Sequence, residues 1–436
     1  MDMSKQINAT LVLVILLCLG AGTLATSSNA QTAGAATAQN AAIIATTDSV
    51  LKETSDLREL PILRAVKSGA QSRSEIERMI IKDLDTDTTP AEMHAAEVLL
   101  HVFGLAPKEF AYRPFLIKLL TEQVAGYYDP KAQQFYLADW IELEGQKPVM
   151  AHELTHALQD QHFNLKRFES WPKGDSDAEL AAHALIEGDA TLAMTLYLAK
   201  HPMVALAFIR SVQGQQISSE QFKRAPRVLR ESLMFPYEQG SNWATQLYRR
   251  GGWEMISQAY SKLPQSSEQI LHPEKYLAYE APVKVTVPDL KALLGPKWKL
   301  IDSDVNGEWG CYLILDEYIN NAAESKRAAG GWGGDQFALY ESAGTGEVFV
   351  AQFTSWDTAA DAREFFDAYL KRTWKRYPDA KTTEAISNTE RGERHEWKNA
   401  SGRGVLELRG SRVLILEGIP AKANTTALLN RIWHQG

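Results

Sequence analysis

His152-Glu153-Leu154-Thr155-His156 puts two imidazoles and a carboxylate at the spacing from which an α-helix builds a metal site. Four helical residues advance about 400° and roughly 6 Å, so His152 and His156 stand on one face and can share one ion. Glu153 falls about 100° to the side, where its carboxylate can take a proton from water held beside the metal. The chain has 10 histidines and 54 acidic residues in 436, so an H-[DE]-x-x-H arises by chance in at most roughly three of a hundred such chains.

The element that must present the motif is a buried helix. Val149, Met150, Ala151, Ala157 and Leu158 flank the polar residues, and Pro148 suits a first turn, which predicts a helix from about Pro148 to Asp160. Two solvated histidines on a helical surface are the structural alternative.

A catalytic zinc takes three protein ligands and keeps its fourth position open. Asp175-Ser176-Asp177 offers an N-cap for a second, proline-free helix from Ala178 to Lys200. On it Leu180, Ala184, Glu187, Thr191, Met194 and Leu198 recur at steps of three and four, an apolar stripe interrupted by one carboxylate. A carboxylate on a buried face needs a partner, and a metal supplies one, which makes Glu187 the candidate third ligand. His183, one turn earlier, is its main rival, with Glu179 and Asp189 nearby. Asp189 is better suited to orienting a ligand than to binding metal. Gly188 and the alanines around it would let this helix approach a neighbour closely.

These residues resemble the gluzincin, or thermolysin-like, branch of the zinc metallopeptidases. The resemblance implies His152, His156 and Glu187 as ligands of a Zn2+ cofactor, Glu153 as general base, and a peptide or protein as substrate. Asp160 matches an aspartate of that family's helix. Thr191 stands where the family's E-x-x-x-D pattern has Asp, and the interval from His156 to Glu187 is longer than thermolysin's. The resemblance covers roughly Glu122 to Lys200.

Other segments suit the same chemistry. Gly126 to Lys131 and Gln134 to Leu137 read as two strands around the Asp129-Pro130 turn. Zincins commonly set an edge strand above the metal, where its backbone can hold an extended peptide; a hairpin that merely completes a sheet is the alternative. Peptide hydrolysis passes through a tetrahedral oxyanion, for which one donor is typically worth about 3 kcal/mol, and Tyr237 and His272 are candidate donors. The other reading of His272 is a cap on the loop before Pro273.

Composition sets outer bounds. A chain of this length with 45% hydrophobic residues can bury a sizeable core, and a net charge of −8 argues against nucleic acid as a partner. Phosphate-binding glycine loops and a nucleophile elbow are not apparent. Lys5, the apolar run Ala9 to Ala25 and Ser28-Asn29-Ala30 read as a signal peptide over residues 1–30, which predicts periplasmic or secreted protein without stable membrane insertion after its removal. Cys311 is then the only cysteine left, so no internal disulfide forms.

The expected organisation is α+β: a flexible linker at 31–50, a helix-rich zincin-like domain at 51–282 with one small sheet, and a smaller α+β sandwich at 283–436. Helices are expected at Arg73 to Leu84, at Ala91 to Val102, and through most of Val204 to Lys262 with breaks near Gly214 and Pro236. Towards the C-terminus, a helix from Tyr312 to Arg327 precedes a β-β-α-β-β-α order, with Asp357 capping the central helix and the Trp332 loop either binding a ligand or packing beneath its glycine turn. The chief alternative function is a zinc-stabilised binding or assembly protein that keeps the fold without turnover; Glu153 favours the enzyme, since a structural site has no use for a base.

Overall fold

The computed structural model describes residues 12–13, 33–140, 143–168, 174–214, 220–389, 392–399 and 402–435. Most of the expected leader, residues 1–30, lies outside them. The stretch expected to be a linker is instead helical: α1 spans Ala33–Arg58, and Ile43, Thr47, Val50, Leu51 and Thr54 bury one face at helical spacing. Alanine is the best helix former, so low complexity here favours helix over coil.

Two sharply capped helices follow, α2 (Arg73–Asp87) and α3 (Pro90–Val102), each opened by a capping box, Ser72 with Glu75 and Thr89 with Glu92. Then comes α4 (Tyr112–Gln123). A small sheet of β1 (Val12–Leu13), β2 (Lys67–Gln71), β3 (Gly126–Asp129) and β4 (Gln134–Ala138) has the order β1-β3-β4-β2, with β2 parallel to β4 and the expected hairpin at β3 and β4.

The motif helix α5 runs Leu143–Phe163, so Pro148 lies inside it rather than at its first turn. α6 spans Ser176–Lys200 with Asp175 as N-cap, its side chain accepting from Ala178 N. α7 (Pro202–Gly214) and the short α8 (Glu220–Arg224) lead to α9 (Arg227–Ala259). The expected break near Gly214 coincides with the end of α7, and residues 215–219 lie outside the described set. The break expected at Pro236 does not occur. α9 carries Pro236 within the helix and departs from helical geometry at Gly251 and Gly252, the latter at φ 63°. Burial of Leu233, Phe235 and Trp243 around the proline offsets its missing donor. Three short helices follow: α10 (Ser267–Leu271), α11 (Pro273–Ala278) and α12 (Lys291–Leu294).

The last third is an antiparallel sheet of seven strands in the order β5-β6-β7-β11-β10-β9-β8. Its strands are β5 (Trp298–Asp304), β6 (Trp332–Ser342), β7 (Val348–Trp356), β8 (Lys381–Thr389), β9 (Gly392–Asn399), β10 (Gly402–Arg409) and β11 (Arg412–Ile419). The expected order omitted β5, β8 and β9. The helix expected from Tyr312 to Arg327 is two, α13 (Gly307–Ile319) and α14 (Ala322–Ala329), because Asn320 turns left-handed and Asn321 caps the second. α15 (Ala359–Arg376) is capped by Thr358 rather than Asp357, and α16 (Thr425–Gln435) closes the chain.

Strand alternation gives this sheet two apolar faces. Phe337, Leu339, Val350, Leu406 and Ile415 join a cluster with α13, α15, α6 and α9, so the sheet and the helical region share a core. Ala338, Tyr340, Ala351, Phe353 and Leu414 pack beneath Leu428, Leu429 and Ile432 of α16. Trp332 is buried and its indole donates to Asp335 Oδ1 at 3.0 Å, which assigns that side chain to packing.

Candidate metal centre

Either side of the motif, α5 carries apolar residues, Val149 to Ala151 before it and Ala157 and Leu158 after it. Met150, Ala151, Leu154, Ala157 and Leu158 pack with α1 and with Tyr128, Phe135 and Leu137 of the hairpin, which fixes the roll of the helix. His152 and His156 then stand one above the other, ring centroids 4.7 Å apart. α6 faces them with Glu187, whose Oε2 lies 3.0 Å from His152 Nε2 and 3.5 Å from His156 Nε2. All three residues are buried, and one ligand atom from each lies within 4.8 Å of the others.

The approach of α6 is set by glycine. A β-carbon on Gly188 would sit 2.2 Å from the carbonyl oxygen of Gly240 in α9, and one on Gly240 would sit 2.2 Å from that of Ala184. The two helices therefore cross backbone to backbone beside Glu187. Three residues before Gly240, Tyr237 lays its ring against His152, centroids 6.2 Å apart and planes 29° from parallel. Of the two sequence-derived oxyanion donors, Tyr237 is the one the fold brings against His152.

His272 is held elsewhere. Its Nε2 lies 3.0 Å from Glu308 Oε1 on α13 and its Nδ1 3.8 Å from Glu274. It stands at the junction of α10 and α11, in the N-cap position ahead of Pro273 but without a side-chain capping bond. His183 is partly buried near Glu187 and His156, but it is not one of the three clustered ligand residues.

Glu153, next to His152 on α5, is buried, and its Oε2 accepts the backbone N–H of Tyr128 in β3 at 2.8 Å. The hairpin thus lies directly over the carboxylate. Asp160 locks it there, accepting the Tyr128 hydroxyl at 2.9 Å and pairing with Arg64.

A buried polar chain supports His156. Its Nδ1 lies 2.8 Å from Gln159 Oε1, and Gln159 donates through Nε2 to Asp189 Oδ2 at 3.0 Å and to the carbonyl of Ile186 at 3.1 Å. Because that Nε2 must donate, Oε1 is the acceptor for His156, which puts the imidazole proton on Nδ1 and the lone pair on Nε2. Asp189 also receives Arg58 Nε at 2.6 Å and the Tyr260 hydroxyl at 2.9 Å. Asp189 is therefore linked to His156 through Gln159 rather than directly. Sequence reasoning missed Gln159, although its place three residues after His156 on one helix face was a usable signal. Arg58 and Tyr260 carried no such signal.

The model of a family described as a domain of unknown function, DUF8575, matches residues 298–429, which is the C-terminal sheet with its helices. No curated protein and no solved structure matches the chain.

The electrostatics suit a metal. Burial holds His152 below the ordinary imidazole range, with the Glu187 hydrogen bond only partly opposing it, so its neutral form is favoured. Burial alone would raise Glu187, yet the two imidazoles outweigh it and bring the carboxyl to about 2. Burial likewise lowers His183 to about 4. Neutral imidazole and ionised carboxylate are the forms in which these side chains bind a cation.

Proposed function

We propose that this protein is an exported, zinc-dependent peptidase of gluzincin type. The observation that carries the reading is the buried convergence of His152 Nε2, His156 Nε2 and Glu187 Oε2, with Glu153 beside them on the same helix. Two imidazoles and one carboxylate are a donor set suited to a catalytic zinc. When bound, zinc polarises a carbonyl and lowers the pKa of water to about 7.

The remaining work falls to the chain's own side chains. Glu153 accepts a proton from the attacking water and delivers it to the departing amine. The Tyr128 N–H fixes one oxygen of that carboxylate and so sets the direction of the other. Gln159 keeps the proton of His156 on Nδ1. The hydroxyl of Tyr237 is the donor proposed for the oxyanion. β3 lies between β4 and the two-residue β1, Val12–Leu13 of the expected leader, and the side of β3 that pairs antiparallel with this segment is the one proposed to hold an extended peptide in its place.

The test is direct. Native mass spectrometry of purified protein should find about one zinc per chain. A peptide library should be cleaved internally, and cleavage should stop with a chelator and return with zinc. Protein that binds no zinc, or cleavage indifferent to chelation, overturns the reading.

A further inference from the structure

The helix that follows the Glu187 helix presents an apolar surface outward. α7 departs at 112° from α6 and begins Pro202-Met203-Val204-Ala205-Leu206-Ala207-Phe208-Ile209. None of these eight residues is buried, and Met203 is 75%, Ile209 48% and Leu206 39% exposed. The inner side of the helix rests on α5 and α6. Three large exposed apolar side chains within seven residues of one surface helix mark an interaction surface.

Charge and length indicate its partner. Between Asp189 and Glu220 the sequence has no acidic residue, while Lys200 and Arg210 bracket the apolar run, a local reversal in a chain of net charge −8. Lys200 is exposed, and the neighbouring His201 pairs with Glu53 at 2.7 Å. At 1.5 Å per residue the 13 residues of α7 extend about 20 Å, short of a hydrocarbon core of about 30 Å. α6 cannot complete a span, because its middle is enclosed by protein at Glu187. A short helix whose exposed apolar run is bracketed by basic residues suits a position in the plane of an anionic membrane surface.

We infer that α7 docks the protein on an anionic lipid surface, with Met203, Leu206 and Ile209 entering the headgroup boundary and Lys200 meeting lipid phosphate. Docking there holds the face beside the motif helix α5 close to the membrane. The inference does not depend on peptidase activity.

The test is sedimentation of the full chain with vesicles of phosphatidylcholine alone or containing one third phosphatidylglycerol. Binding is expected to the anionic vesicles, weaker in high salt, and to fall at least tenfold in Met203→Glu/Leu206→Glu. Lys200→Glu should reduce the salt-sensitive part. Unchanged thermal melts establish that these exposed substitutions leave the fold intact. No binding to anionic vesicles, or equal binding by the double variant, overturns the inference. A concentration-dependent dimer that the double variant abolishes, without vesicle binding, would assign the face to a second copy of the chain instead.

Discussion

Gly188 and Gly240 meet backbone to backbone, leaving no room for a β-carbon on either. This crossing of α6 and α9 brings Glu187 and Tyr237 to the same imidazole. Gly188→Ala should destabilise the protein by about 1–3 kcal/mol through overpacking and also weaken zinc binding by displacing Glu187. Thermal melts and zinc titration against a competing chelator read the two effects. A full-affinity Gly188→Ala protein would separate the crossing from the site.

Gln159 makes a second prediction. Gln159→Leu removes the acceptor of His156 Nδ1 and should cost about 10 to 100-fold in zinc affinity, the usual range for a partner outside the ligand shell. Glu187→Ala should weaken binding more, and His183→Ala less than Glu187→Ala. Should His183→Ala strip the metal while Glu187→Ala retains it, the ligand set would be three histidines.

Arg58 and Asp189 form a fully buried pair, both side chains at 0% exposure. Arg58→Met takes from the buried Asp189 its cationic partner, leaving Gln159 and the Tyr260 hydroxyl as its donors, and should cost about 3–5 kcal/mol. Arg58→Met/Asp189→Asn should recover part of that loss in denaturant unfolding. Additive losses in the double variant would show that the two act separately.

Some of this site was legible in the sequence, and some was not. The motif, the second helix and the hairpin are local patterns: helical spacing of His152, His156 and Glu187, an Asp175 cap, and an Asp129-Pro130 turn between aromatic strands. Tyr237 came from residue type and its side of the site from a glycine crossing whose partner, Gly240, lies 52 residues after Gly188 in sequence. The link from Arg58 to Asp189 spans 131 positions and has no local signature. The alanine-rich stretch at 31–50 misleads in the other direction, since its small residues suggest a linker where Ile43, Thr47 and Val50 make a buried helical face. β8 and β9 were missed because charged residues such as Glu393, Arg394 and Glu396 interrupt the apolar alternation that marks a strand.

His272 and Tyr237 part company in the next prediction. Tyr237→Phe should lower kcat by about 10²-fold or more with little change in zinc content, as expected for an oxyanion donor. His272→Gln should leave kcat nearly unchanged. Its hydrogen bond to Glu308 raises the imidazole above its ordinary value, with burial opposing. A raised folded pKa stabilises the protein below the unfolded value of about 6.5 and ceases to do so as pH rises through the folded value. Relative to wild type, His272→Gln should therefore be less stable near pH 5 and comparable near pH 9 in paired melts. An equal deficit at both would assign His272 to packing alone.

The most direct measurement of the central claim is zinc content and peptide cleavage of Glu153→Gln beside the unaltered protein. The account predicts about one zinc per chain in both proteins and at least a 10²-fold loss of cleavage rate in the variant, since a general base contributes about that much or more. Equal cleavage by both proteins, or loss of zinc from the variant, would contradict it.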